Sequence, residues 1–205
     1  MNGTQMIVAG SDTTATSLKW IISLLLNKKH ALKHAQEEIN LKVGRERWVE
    51  DTDIENLTYL QAIVKETLRL YPPGPFSVPH EAMEDCQVCG LHIPKGTRLF
   101  VNLWKLHRDP TVWSEPEVFS PDRFDASGQH FEFIPFGSGR RSCPGLTFAM
   151  QVIHLNLGRL IQGFELATPL DMSVDMTEGL GVTLPKATSL EVVLTPRLPI
   201  EFYER

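Results

Sequence analysis

The sequence has few cysteines, no excess of basic charge and no long unbroken apolar run, and each shortage removes a class of protein. Three cysteines among 205 residues, Cys86, Cys89 and Cys143, cannot all pair within the chain. Nothing resembles a disulfide framework, and a reducing compartment is expected. The formal net charge of −5 argues against a nucleic-acid partner, which would need a basic footprint. The stretch WIISLLL (Trp20 to Leu26) is apolar but far shorter than a bilayer span, and no secretory leader pattern opens the chain. Internal repeats and low-complexity tracts are also missing. What remains is 42% hydrophobic and long enough to bury a core in one or two domains.

Helical periodicity dominates the first third. Ile7, Leu18, Ile21, Ile22 and Leu25 recur at helical spacing, and Asn27-Lys28-Lys29 suits the end of that helix. HALKHAQEEINLKV predicts a second helix ending near Gly44, with a solvated charged face on which His30 and His34 lie without a further ligand. Leu57 to Leu70 predicts a third, with Leu57, Leu60, Val64 and Leu68 on one face and Pro72-Pro73 as its stop. The texture then changes. CQVCGLHIPKGTRLFVNL, punctuated by Gly90, Pro94 and Gly96, predicts short strands and turns. Thr111 to Gly145 reads as an ordered, irregular meander. Leu146 to Phe164 predicts a strong helix with Ala149, Val152, Ile153, Leu157, Leu160, Ile161 and Phe164 as its apolar stripe. The tail, LEVVLTPRLPIEFY, predicts a hairpin of strands.

Chemistry is concentrated in FEFIPFGSGRRSCPG (Phe131 to Gly145). A structural cysteine sits on an apolar face, whereas Cys143 is set among glycines and prolines behind Arg140 and Arg141. Thiolate is the useful form of cysteine, and cations and helix N-termini favour it. Both are expected beside Cys143, with Pro144 suited to the first turn of the following helix. Gly137, Gly139 and Gly145 permit left-handed backbone or close approach by a flat partner. On spacing alone, a glycine-rich turn with an incidental free cysteine is the competing reading. A cysteine hydrolase is weaker, because none of the seven histidines is placed by a recognisable motif. Cys86-x-x-Cys89 lacks a second pair to complete a metal site and reads as packing in a short hairpin.

Phe136-x-x-Gly139-x-Arg141-x-Cys143-x-Gly145 fills every fixed position of the cytochrome P-450 heme-binding signature, and the chain resembles that family, most closely its plant-type microsomal members. The resemblance implies a mainly α fold with small β-sheets (α+β). Residues 1–205 would be the C-terminal part of a P-450 domain, from the oxygen-activating helix onward, with the N-terminal part and its membrane anchor absent. It implies heme b held by Cys143 as proximal thiolate, with Arg141 at a heme propionate and His80 as a second propionate contact. A thiolate axial ligand favours O–O cleavage.

Other motifs follow in the family's order. Glu66-x-x-Arg69 alone reads as an ordinary helix-face ion pair. By resemblance it joins Arg123 of PDRF (Pro121 to Phe124) in a buried network behind the cysteine loop. AGSDTT (Ala9 to Thr14) reads locally as a helix cap, with Ser11 or Asp12 starting a helix at Thr13. By resemblance it lies mid-helix, where Thr13 hydrogen-bonds dioxygen and Asp12 helps relay protons, which favours a monooxygenase. Gly74, Pro75, Phe76, Ser77 and Val78, with Leu180, Gly181 and Val182 of GLGVT, correspond to substrate-contacting loops.

The function implied is oxidation of a lipophilic small molecule with dioxygen and electrons from an NADPH-dependent flavoprotein reductase. Full-length relatives would sit at the cytosolic face of the endoplasmic reticulum membrane. The alternative is a non-catalytic truncation product that keeps the heme-binding motif without a complete pocket.

Overall fold

The computed structural model describes residues 3–124 and 131–204. Helices α1 (Gly3–Asn27), α2 (Lys29–Lys42) and α3 (Thr58–Leu70) precede a single turn, α4 (Leu103–Leu106), and a long helix, α5 (Leu146–Gly163). The apolar stripes read from the sequence meet in one core. Ile21 and Leu25 of α1, Ala35 and Ile39 of α2, Leu60, Ile63 and Val64 of α3, and Leu157 and Ile161 of α5 are fully buried together. Each large side chain so buried contributes about 1.5–3 kcal/mol relative to exposure.

α1 runs without interruption through AGSDTT, so the cap reading fails. Its hydroxyls return bonds to the helix: Ser11 Oγ donates to the carbonyl of Ile7 at 2.8 Å, Thr13 Oγ1 to Ala9 at 2.7 Å and Ser17 Oγ to Thr13 at 2.9 Å. Side chains that elsewhere compete with the helix are satisfied inside it. The start of α3 is served from a distance. Leu57 at its N-cap has no capping side chain, and the carboxylate of buried Glu38 on α2 accepts from the amides of Tyr59 and Leu60, each at 3.0 Å. Two of the helix's free N–H groups, and its positive end, thereby gain an anion.

The sheets are small and antiparallel. β1 (His80–Glu81) pairs with β4 (Arg98–Leu99), and β2 (Cys86–Val88) with β3 (Leu91–Ile93). The turn between β2 and β3 places Cys89 and Gly90 at φ 50° and 80°, the left-handed pair of a tight two-residue hairpin. The hairpin is as expected, but Cys86 and Cys89 are exposed on it, not packed.

α5 begins at Leu146, as expected, with Gly145 as N-cap. One further expectation is corrected. The tail does not fold on itself: β6 (Val193–Pro196) pairs with β5 (Phe164–Ala167), which leaves α5 directly, and Ile200–Phe202 forms a 3-10 turn. Pro196 and Pro199 deny a tail hairpin two ladder donors, whereas the segment after α5 offers a ready edge. No described helix is long and apolar enough to cross a membrane.

Candidate functional site

Glu66 and Arg69 lie one turn apart on α3, and both side chains are fully buried. The pair is not the exposed one that spacing alone suggests. Arg69 uses all five of its donors. Nε reaches Glu66 Oε2 at 2.7 Å and Nη2 reaches Glu66 Oε1 at 2.8 Å; Nη1 meets the carbonyls of His107 and Pro116 at 2.6 and 2.7 Å, and Nη2 that of Val118 at 3.3 Å. Glu66 Oε1 also accepts from the amide of Ser120 at 3.0 Å. Arg123 joins at ion-pair distance, with Nε 3.5 Å from Glu66 Oε1 and without hydrogen-bond alignment, while its Nη1 donates to Ser114 O at 2.7 Å. A buried pair is tolerable only when its remaining donors and acceptors are met, and here they are. α3 thereby pins the meander of residues 107–123.

His107 carries that anchorage toward the cysteine loop, and no sequence signal pointed to it. Its carbonyl receives Arg69, and its Nε2 accepts from the amide of Ile134 at 3.3 Å. The imidazole is fully buried, and desolvation, with the charges of Arg69 and Arg108, lowers its pKa to about 4. Buried His154 on α5 is lowered to about 4 as well, by desolvation and then by Lys65. Both are neutral in the folded protein, and an unfolded chain binds their protons more readily. Stability is therefore expected to fall as pH drops from about 6.5 and to level off near 4, by about 3 kcal/mol for each group. Urea unfolding across that range checks this. His107→Gln should flatten the slope, and an unchanged slope would remove His107 as its source.

The loop itself closes through its backbone. The amide of Cys143 donates to Phe136 O at 2.9 Å, that of Gly137 to Ile134 O at 2.9 Å, and that of Ser142 to Gly139 O at 3.1 Å. Gly137 and Gly139 adopt φ 74° and 71°, which only glycine enters without strain. Phe136 packs against the core and roots one end. At the other, Cys143, Arg140 and Arg141 are exposed, two residues before the N-cap of α5.

On the other side, α1 presents Asp12 and half-buried Thr13. Thr183 Oγ1 donates to Asp12 Oδ2 at 3.0 Å. The neighbouring Leu184 receives Trp20 Nε1 of α1 on its carbonyl at 2.7 Å and donates its amide to Pro73 O at 3.0 Å. These bonds tie α1 to residues that flank two sequence-predicted segments, Pro73 before Gly74 to Val78 and Thr183 after Leu180 to Val182. Ser77 is tied by its amide to Val101 O at 3.0 Å. Phe76, Val78, Leu180 and Val182 are left exposed, the last two completely. His80 lies exposed on β1, opposite Leu99.

The residues fit the group that the signature implies. An exposed thiol, two exposed guanidinium groups and uncovered apolar side chains are what a flat apolar ligand with anionic arms would need.

A helical core that pins a glycine-built loop and offers one cysteine thiol from it defines the class. The chain belongs to the cytochrome P450 family, whose model matches residues 1–192. It is 62% identical over 190 residues to vinorine hydroxylase of Rauvolfia serpentina, covering 89% of this chain and 40% of that protein. It is 58% identical over 203 residues to nicotine N-demethylase CYP82E3 of Nicotiana tomentosiformis (97% and 39%), and 58% over 206 residues to xanthotoxin 5-hydroxylase CYP82C4 of Arabidopsis thaliana (97% and 39%). A zebra fish cytochrome P450 solved with progesterone superposes with a TM-score of 0.87 at 36% identity, over 94% of this chain and 44% of that one. The chain thus spans about two-fifths of the length of these relatives.

Proposed function

We propose that these residues form the heme-thiolate half of a monooxygenase that oxidises a lipophilic small molecule with dioxygen and reductase-supplied electrons. The observation that carries the reading is the exposed Cys143 thiol on a loop fixed by backbone bonds and rooted in the Glu66–Arg69–Arg123 network. Heme iron ligated by thiolate supplies the dioxygen-activating chemistry. Cys143 would supply the thiolate that holds the iron, and Arg141 and His80 would neutralise the propionates. Phe76, Val78, Leu180 and Val182 exclude water and hold the substrate's apolar surface.

On α1, the Thr13 hydroxyl is held by Ala9 O and can turn toward the oxygen side, and the Asp12 carboxylate passes protons to it. The relatives named above carry names for three different substrates, vinorine, nicotine and xanthotoxin. Thr13→Ala in the complete protein is expected to lower product formed per NADPH roughly tenfold or more and to release peroxide instead. A tightly coupled Thr13→Ala enzyme would remove the pair from catalysis. Heme bound per chain of the 205-residue protein, measured as pyridine hemochrome, separates this reading from that of a heme-free remnant.

A further inference from the structure

We infer that Thr183 is a positioning residue for Asp12, coupling the loop that faces the substrate to proton delivery; this rests on the oxygen-activation reading above. Four hydroxyls of α1 return their hydrogen to a carbonyl of their own helix. Thr183 does not bond locally. It reaches a residue 171 positions away, with Oγ1 3.0 Å from Asp12 Oδ2. Among the described residues this is the one side-chain hydrogen bond given to that carboxylate, which otherwise stands exposed and free to rotate on the helix.

The donor is held in place on both sides. After it, Leu184 is tied to α1 through Trp20 and to the Pro73 turn, and both bonds share the residue next to Thr183. Around it, the chain makes a short loop, closed by the amide of Gly179 on Pro185 O at 2.8 Å. A Cβ at Gly181 would lie 2.9 Å from the carbonyl oxygen of Thr183, so the turn that delivers the hydroxyl depends on glycine there. Farther out, Trp104 Nε1 and Arg108 Nη2 grip Glu178 Oε1 at 3.1 and 3.3 Å, fixing the neck of the loop.

A proton-relaying carboxylate is useful only while one oxygen points at its acceptor. The Thr183 bond occupies Oδ2 and leaves Oδ1 free for the relay. Because Leu180 and Val182 stand on the same short turn, a substrate that moves them moves the donor as well. Substrate fit and proton delivery thereby share one element.

The test uses the complete heme-loaded protein with its reductase, and hydrogen exchange in the same protein. Thr183→Val is expected to lower product per NADPH several-fold, shift the pH profile of coupling, and speed amide exchange in residues 180–183 several-fold. Thr183→Ser should restore all three. Asp12→Ala should speed exchange of the same amides, and the double variant should exchange no faster than either single one. Coupling unchanged in Thr183→Val, exchange effects that multiply in the double variant, or failure of Thr183→Ser to rescue would each overturn the assignment. If Thr13→Ala and Asp12→Ala uncouple the enzyme while Thr183→Val does not, only the role of Thr183 falls. If none of them uncouples it, the oxygen-activation reading falls first.

Discussion

Replacing Glu66 by Ala is expected to cost the fold about 3–5 kcal/mol, a large part of the roughly 5–15 kcal/mol that holds a domain of this kind together. The loss comes from what is left behind. Arg69 would remain fully buried with two donors unmet, the amide of Ser120 would lose its acceptor, and Arg123 its counter-charge. Arg69→Lys is expected to be nearly as damaging despite keeping the charge. An ammonium has three donors, and the five contacts of Arg69 run in the plane of a guanidinium. Denaturant unfolding measures both. A Glu66→Ala protein unfolding at the wild-type midpoint would mean that the meander is held by something else.

Cys143→Ser is expected to give the opposite pattern, a chemical loss without a structural one. The bond that closes the loop uses the Cys143 amide, which serine retains, and the thiol is exposed. Stability should stay within about 0.5 kcal/mol, as for other surface changes. The thiolate character of the reduced carbon monoxide spectrum should disappear entirely. A variant that keeps that spectrum would exclude Cys143 as the ligand, whereas one that unfolds would give the thiol a packing role that its exposure denies.

The parts of the molecule legible in the sequence are those decided by near neighbours. The α3 stripe, the Pro72-Pro73 stop, the hairpin at Cys89-Gly90 and the glycines of the cysteine loop all follow from local backbone preference. AGSDTT shows the limit of that logic. Its residues favour a cap, yet back-bonded hydroxyls let the helix continue. The tail strand was legible as a strand, but its partner was not, because the edge it joins lies 26 to 32 residues upstream, from Ala167 opposite Val193 (193 − 167) to Phe164 opposite Pro196 (196 − 164). His107 and Glu38 carried no signal at all, since each matters through a backbone group that only the folded chain brings near.

The cap that Glu38 places on α3 also bears on the order in which the chain assembles. It joins residues 21 and 22 positions apart, so closing that loop costs little entropy, and α2 with α3 can associate early. The Trp20–Leu184 and Asp12–Thr183 bonds span 164 and 171 positions. Closing loops of that length costs more entropy, which favours their forming later. The turn of residues 180–184 is therefore expected to form late, and pulse-labelled hydrogen exchange during refolding should protect it after α3.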